Sequence, residues 1–125
     1  GAGLCSTATD YALFLQMYLN GGELNGTRIL SRTTIETIMQ DQAVGLWGGD
    51  EKHHGLAFGV VAKQGVAKGG LGSLGTFDWG GYFNTQYFAD PQEGTIGLIF
   101  KQTQGETGDP TSTPFRMLVN AAIDD

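Results

Sequence analysis

Two glycines beside an indole, Trp79-Gly80-Gly81, with Tyr82 after them, are the residues of this 125-residue chain best suited to meet a ligand. Adjacent residues without a Cβ let another group approach the backbone closely, a physical reason to find them beside a strand at a binding site. A bulge in an ordinary antiparallel sheet also accounts for the pair. Covalent catalysis asks for more: a nucleophile, a group to take its proton, and donors for a developing oxyanion. Ser6, Ser31, Ser73 and Ser112 are followed three residues later by Thr9, Thr34, Thr76 and Phe115, so no Ser-x-x-Lys pair is present. No Gly-x-Ser-x-Gly elbow occurs, and both histidines lie together. Tyr18-Leu19-Asn20 matches a Tyr-x-Asn pattern, but a match so short arises by chance, and it falls at a helix end among apolar residues. No nucleophile with its base is expected from these patterns, although composition leaves a Ser/His/Asp arrangement open.

Metal and cofactor chemistry find no better support. His53 and His54 stand beside Asp50 and Glu51, but neighbours in an extended chain point to opposite sides and no ligand spacing recurs elsewhere. The stretch from Asp41 to Gly55, with Trp47, Gly48 and Gly49, therefore reads as a solvated loop with no metal. Lys68 is followed by glycine and not by Ser or Thr, so the glycine-rich run from Gln64 to Leu74 is no phosphate loop, and no cofactor is expected.

The elements that would position Trp79 to Tyr82 are strands. Gly75 to Trp79, Tyr82 to Ala89 and Thr95 to Lys101 read as three runs, the last two joined by Asp90-Pro91-Gln92-Glu93-Gly94, which has hairpin chemistry. Leu56 to Lys63 alternates and supplies a fourth strand. Upstream, Thr7 and Asp10 form a capping box for a helix to about Leu19, stopped by Asn20-Gly21-Gly22. Asn25-Gly26 signals a small hairpin, and Ser31 caps a second helix from Arg32 to about Gln40, with Ile35, Ile38 and Met39 on its buried face. Asp109-Pro110 opens the last segment, where Phe115, Leu118, Val119, Ala122 and Ile123 form the core-facing stripe of a terminal helix. The expected fold is α+β: an antiparallel sheet of about four strands with two N-terminal helices and a C-terminal helix packed on it. Residues 1–45 form its helical part and residues 56–125 its sheet and terminal helix.

Composition narrows the partners. The chain is long enough for one core but not two. Its 21 glycines against 3 prolines suit a sheet with tight connections, and a net charge of −6 with 7 scattered Lys and Arg argues against nucleic acid. No apolar run approaches the roughly 20 residues that span a bilayer, and the N-terminus lacks the basic residues of a signal peptide. Cys5 stands alone among apolar neighbours and reads as a small buried hydrophobe.

Gly1-Ala2-Gly3-Leu4-Cys5-Ser6-Thr7-Ala8, then Asp10-Tyr11, Leu19-Asn20-Gly21-Gly22 and Arg28-Ile29-Leu30-Ser31, resemble the segment that follows the middle of class C β-lactamase-like serine hydrolases. Gly72-Ser73-Leu74-Gly75-Thr76-Phe77-Asp78-Trp79-Gly80-Gly81 with Asp90-Pro91 is similar to the C-terminal part of β-lactamase-related esterases. The resemblance implies a partial β-lactamase/transpeptidase-like fold and a single domain fragment over 1–125. The Ser-x-x-Lys helix and the Tyr-x-Asn loop would then lie in an upstream half of the same enzyme. Penicillin-recognising members carry Lys-Thr-Gly on the strand beside the nucleophile, and Trp79-Gly80-Gly81 matches the Trp-Gly-Gly version of related esterases. Without that lysine, an ester or uncharged amide is implied over a carboxylate-bearing antibiotic. The same match makes the Tyr82 backbone N–H one oxyanion donor. A single donor is worth about 3 kcal/mol in the transition state, so this segment alone should not turn over substrate. Two other readings stand beside it. One is a non-catalytic binding module in which Trp79, Tyr82 and Trp47 form an aromatic platform. The other is a self-associating module that pairs through an exposed strand edge to give a homo-oligomer.

Overall fold

In a computed structural model that describes residues 3–46, 49–104 and 110–124, the first elements follow local chemistry closely. Thr7 caps helix α1 (Ala8–Leu19): its hydroxyl accepts from the Asp10 N–H at 3.1 Å and donates to the Asp10 carboxylate at 2.9 Å. The helix ends on Gly21 and Gly22, both with positive φ. Their N–H groups return to the carbonyls of Tyr18 and Met17, a Schellman closure. Gly22 has a second reason to be glycine, because a Cβ there would meet the Leu30 carbonyl at 2.1 Å.

Strands β1 (Glu23–Leu24) and β2 (Thr27–Arg28) turn through Asn25 and Gly26, both with positive φ, as a two-residue hairpin requires. Ser31 caps helix α2 (Arg32–Met39), its hydroxyl accepting from the Thr34 N–H at 3.0 Å.

The main sheet is an antiparallel meander of five strands in chain order: β3 (Lys52–His54), β4 (Gly59–Val61), β5 (Phe77–Gly80), β6 (Gln86–Asp90) and β7 (Thr95–Ile99). Strand β3 lies in the stretch expected to be a loop. Lys52-His53-His54 offers no aliphatic alternation, and a three-residue edge strand takes its place from pairing with β4 alone. Helix α3 (Lys63–Lys68) occupies the start of the expected glycine-rich connection and shortens the expected Leu56–Lys63 strand. Gly65 sits inside this helix because it packs against the Glu51 carbonyl, which a Cβ would approach to 2.3 Å. Strand β6 begins four residues later than Tyr82, since a hairpin loop takes the intervening residues.

Alternation along the strands divides the sheet into two faces. Phe58, Val60, Phe77 and Ala89 face α1 and α2, where Leu15, Met17, Tyr18 and Ile35 complete a buried core. Each of the larger aliphatic and phenyl side chains among them contributes about 1.5–3 kcal/mol on burial. The other face carries Asp78 and Phe88 and meets helix α4 (Ser112–Ala121). The expected apolar stripe of this helix is only partly buried: Phe115, Val119 and Ile123 are half-covered, Ala122 is exposed, and Leu118 is 71 % exposed. The polar contacts of Arg116, described below, set its rotation in place of that stripe. The expected opening at Asp109 and the residues Trp47 and Gly48 lie outside the described residues.

Candidate functional site

Trp79 and Gly80 end strand β5, paired with Tyr87 and Gln86 of β6. Gly81 then closes the hairpin: its N–H donates to the Thr85 carbonyl at 2.8 Å, and its carbonyl accepts from the Asn84 N–H at 3.0 Å. Asn84 takes a left-handed φ of 61°, so Tyr82, Phe83 and Asn84 form a three-residue loop. Both glycines have a steric reason to be bare. A Cβ on Gly81 would lie 2.1 Å from the Thr85 hydroxyl, and one on Gly80 would lie 2.7 Å from the Gln86 amide.

Tyr82 stands at the tip, 63 % exposed, with its ring edge-on to Phe83 and its hydroxyl accepting from the Gln104 amide at 2.6 Å. Among the described residues, the Tyr82 N–H has no acceptor. The far side of the same loop is tethered as well, by a hydrogen bond from the Asn84 side chain to the Thr103 hydroxyl at 2.9 Å.

Beside this hairpin a groove of about 550 Å³ opens between the sheet and the start of α4. Asp78, Trp79, Gly80 and Gln86 form its sheet side, and Ser112 and Arg116 border it from the helix. Gly81 and Tyr82 do not line it. Its polar centre is Asp78, which accepts from Lys52 and from Arg116, both at 2.5 Å. Arg116 also donates to the Leu71 carbonyl and lies over the Phe88 ring, 4.9 Å from its centroid. This triad ties β3, β5, the loop after α3 and α4 together. Two cations share this single carboxylate, so the triad keeps a net positive charge, and the groove combines it with hydrogen-bonding and aromatic surface.

Trp79 is 48 % exposed and takes the His54 ring edge-on at 5.5 Å. The adjacent histidines part company: His53 meets the Met39 carbonyl through Nε2 at 2.8 Å, while His54 goes to the indole. Among the described residues no group of three or more His, Cys, Asp or Glu could hold a metal. Sequence reading missed Lys52, His54, Asp78 and Arg116. The available signal was the opposite pointing of neighbours in a strand, which is usable only once β3 is known to be one.

The Tyr-x-Asn match resolves as core packing. Tyr18 is 9 % exposed, edge-on to Phe58 and Phe14, and burial with the nearby Tyr11 raises its hydroxyl above the usual tyrosine range. Tyr87 is shifted up further, by burial first and then by hydrogen bonding with Tyr11. Neither hydroxyl is placed to act as a base.

Behind the groove, the 71–75 loop is anchored to the end of β6 by Asp90. Burial pushes this carboxyl up, but the N–H groups of Ser73, Gln92 and Glu93 outweigh burial and hold it below the usual carboxylate range. The buried Thr76 hydroxyl lies close enough to favour the ionised form, though it makes no hydrogen bond of normal geometry.

The family model described as Beta-lactamase matches residues 1–121. The chain belongs to the β-lactamase family. Two Mycobacterium tuberculosis relatives, "Uncharacterized protein MT1414" of strain CDC 1551 / Oshkosh and "Protein Rv1367c" of strain ATCC 25618 / H37Rv, are each 32 % identical over 117 residues, an alignment covering 82 % of this chain and 28 % of theirs. Among solved structures, this β-lactamase-family chain is similar to EstCE1, a hydrolase with promiscuous acyltransferase activity, at a TM-score of 0.62 and 24 % identity over 86 % of this chain and 28 % of that one. It is also similar to a penicillin-binding protein homolog from Caulobacter crescentus, at a TM-score of 0.65 and 21 % identity over 88 % and 30 %. At these identities the structures share the α+β fold with it. The chain spans under a third of the length of the relatives it matches. No helix among the described residues is long and apolar enough to cross a membrane.

Proposed function

We infer that this chain is the C-terminal portion of a serine hydrolase of the β-lactamase-like esterase type, acting through an acyl-enzyme. Trp79 and Gly80, which border the groove, and Gly81, which lies outside it at the hairpin, form one wall of its site, and the Tyr82 N–H at the hairpin tip is one oxyanion donor toward the upstream half. The observation that carries this reading is the hairpin tip, where the peptide N–H of Tyr82, directly after Gly81, has no acceptor among the described residues; the room beside Gly80 and Gly81 is itself taken by Gln86 and Thr85. The half-exposed indole of Trp79, where penicillin-recognising enzymes place a lysine, favours an ester or uncharged amide.

In this reading a serine hydroxyl from the upstream half of the same enzyme attacks the substrate carbonyl, losing its proton to a base carried there. The oxyanion accepts from the Tyr82 N–H and from the serine's own N–H, then collapses to expel the alcohol or amine, which takes up the proton. Water afterwards attacks the acyl-serine and releases the acid. The groove triad of Lys52, Asp78 and Arg116 takes no part and holds the wall in place.

A backbone donor calls for a backbone test. Tyr82 is the second residue of the turn from Gly81 to Asn84, with negative φ, a position where proline is accommodated. In the full-length enzyme Tyr82→Pro therefore removes the N–H while keeping the turn, and about a 100-fold or greater loss of kcat on an aryl ester is expected, with Tyr82→Phe near wild type. An unchanged rate for Tyr82→Pro refutes the donor role. The 125-residue chain alone should hydrolyse the ester no faster than buffer.

A further inference from the structure

Strand β3 makes specific contacts rather than core. Its residues Lys52, His53 and His54 are polar and only partly covered, and it pairs with β4 alone. Each side chain nevertheless ends on a defined point: Lys52 on the Asp78 carboxylate, His53 on the Met39 carbonyl, His54 on the Trp79 indole. Two of these points are neighbours on β5, a strand with which β3 does not pair. Gly59 of β4 makes that reach possible. It stands opposite His54 on one side and Asp78 on the other. A Cβ there would lie 3.3 Å from the Asp78 carboxylate and 3.9 Å from the Lys52 stem, so the bare residue lets the two side chains meet over it. The pairing of β4 with β5 ends at Gly59 and Asp78, so no paired β4 residue stands opposite Trp79. The His54 ring meets the indole there, 5.5 Å between centroids and 79° between planes.

We propose, on the reading that Trp79 is one wall of the hydrolase site, that His54 is a positioning residue: it fixes the indole as a flat apolar surface that selects esters carrying an aromatic ring over small alkyl esters. An edge-on neighbour restrains a ring while covering little of it, and Trp79 stays half-exposed. A side chain ordered before the ligand arrives loses little rotamer freedom on binding, and an indole offers a large contact area for few torsions. Lys52 supplies the second constraint. Its ion pair with Asp78, the residue before Trp79, fixes β3 against β5, so that the His54 ring falls on the indole and not beside it.

Two esters tested on the full-length enzyme decide this: benzyl phenylacetate, with a ring on each side of the scissile bond, and ethyl acetate, with none. His54→Ala should raise KM for benzyl phenylacetate about fivefold with kcat within about twofold of wild type, and should leave both constants for ethyl acetate unchanged. His54→Phe keeps an edge-on ring and should return KM to within about twofold of wild type. In a Trp79→Leu background His54→Ala should change nothing further, because the side chain through which it acts is gone. If His54→Ala does not fold, His54→Gln, which loses the ring but keeps much of the volume, takes its place. A wild type inactive on both esters overturns the proposed function and the role of His54 together. An active wild type leaves the function standing. The role of His54 alone then falls if the enzyme turns over only ethyl acetate, if KM for benzyl phenylacetate is unchanged or both esters are affected alike, if kcat alone falls, if phenylalanine does not rescue, or if the same loss appears without Trp79.

Discussion

The two faces of the sheet are built on different principles. On the α1 face, Tyr11, Phe14, Tyr18, Phe58, Phe77 and Tyr87 form a continuous set of tilted and edge-on ring contacts, closed by Leu15 and Ile35. On the α4 face one ring, Phe88, is covered by Phe115 and Arg116, and the helix is held by the Asp78 triad rather than by a layer of apolar side chains. Burial of apolar surface is non-directional and fills space, so the first face is closely filled. Ion pairs are directional and fix two points without filling what lies between them, so the second face keeps a groove. Stability is therefore concentrated on one face, and the open groove lies on the other.

This contrast breaks if the two faces respond alike to substitution. Phe58→Ala should have the largest effect, about 3–5 kcal/mol by urea denaturation, because the ring is 3 % exposed and touches three other aromatic side chains. A cost under about 1 kcal/mol would mean that the α1 face is not the seat of stability. Arg116→Met should cost less, about 2 kcal/mol: methionine still covers Phe88, but Asp78 keeps only Lys52 and the Leu71 carbonyl loses its donor. A loss equal to that of Phe58→Ala would erase the distinction between the faces.

The smallest of the three effects sharpens the contrast by varying with pH. Asp90→Asn should cost about 1–2 kcal/mol at neutral pH. Asp90 is held below its ordinary range in the folded chain, so its contribution is fully present above the unfolded carboxylate value of about 3.9. That contribution is lost as pH falls through the lower folded value. The difference between wild type and Asp90→Asn should therefore shrink on acidification, while the Phe58→Ala difference should not. A pH-independent Asp90→Asn difference would show that the carboxyl is not held ionised by its three N–H donors.

Legibility in the sequence followed the range of the interactions. Thr7 with Asp10, Gly21 with Gly22, Asn25 with Gly26, and Ser31 all act within six residues, and each formed the cap or turn that its type requires. Strand β3 and helix α3 were not legible. The first is polar and owes its conformation to β4, while the second has a glycine where a helix ordinarily resists one, admitted by close contact with Glu51. The stripe of α4 misled for a related reason: periodicity gives the angle between side chains on a helix, but Arg116 reaching Asp78 across 38 residues sets which of them faces the sheet.

The candidate site divides in the same way. Trp79, Gly80 and Gly81 could be singled out from residue type, because a missing Cβ is a property of the residue itself. That Tyr82 stands in a hairpin tip rather than in a strand, that Trp79 and Gly80 border a groove, and that His54 and the Asp78 triad accompany them are outcomes of folding. The chain on its own determines caps, turns and the absence of a Ser-x-x-Lys pair. The tertiary structure decides strand ends, the setting of α4 and the groove, because these depend on contacts between residues far apart in the chain, whose energies no local window contains.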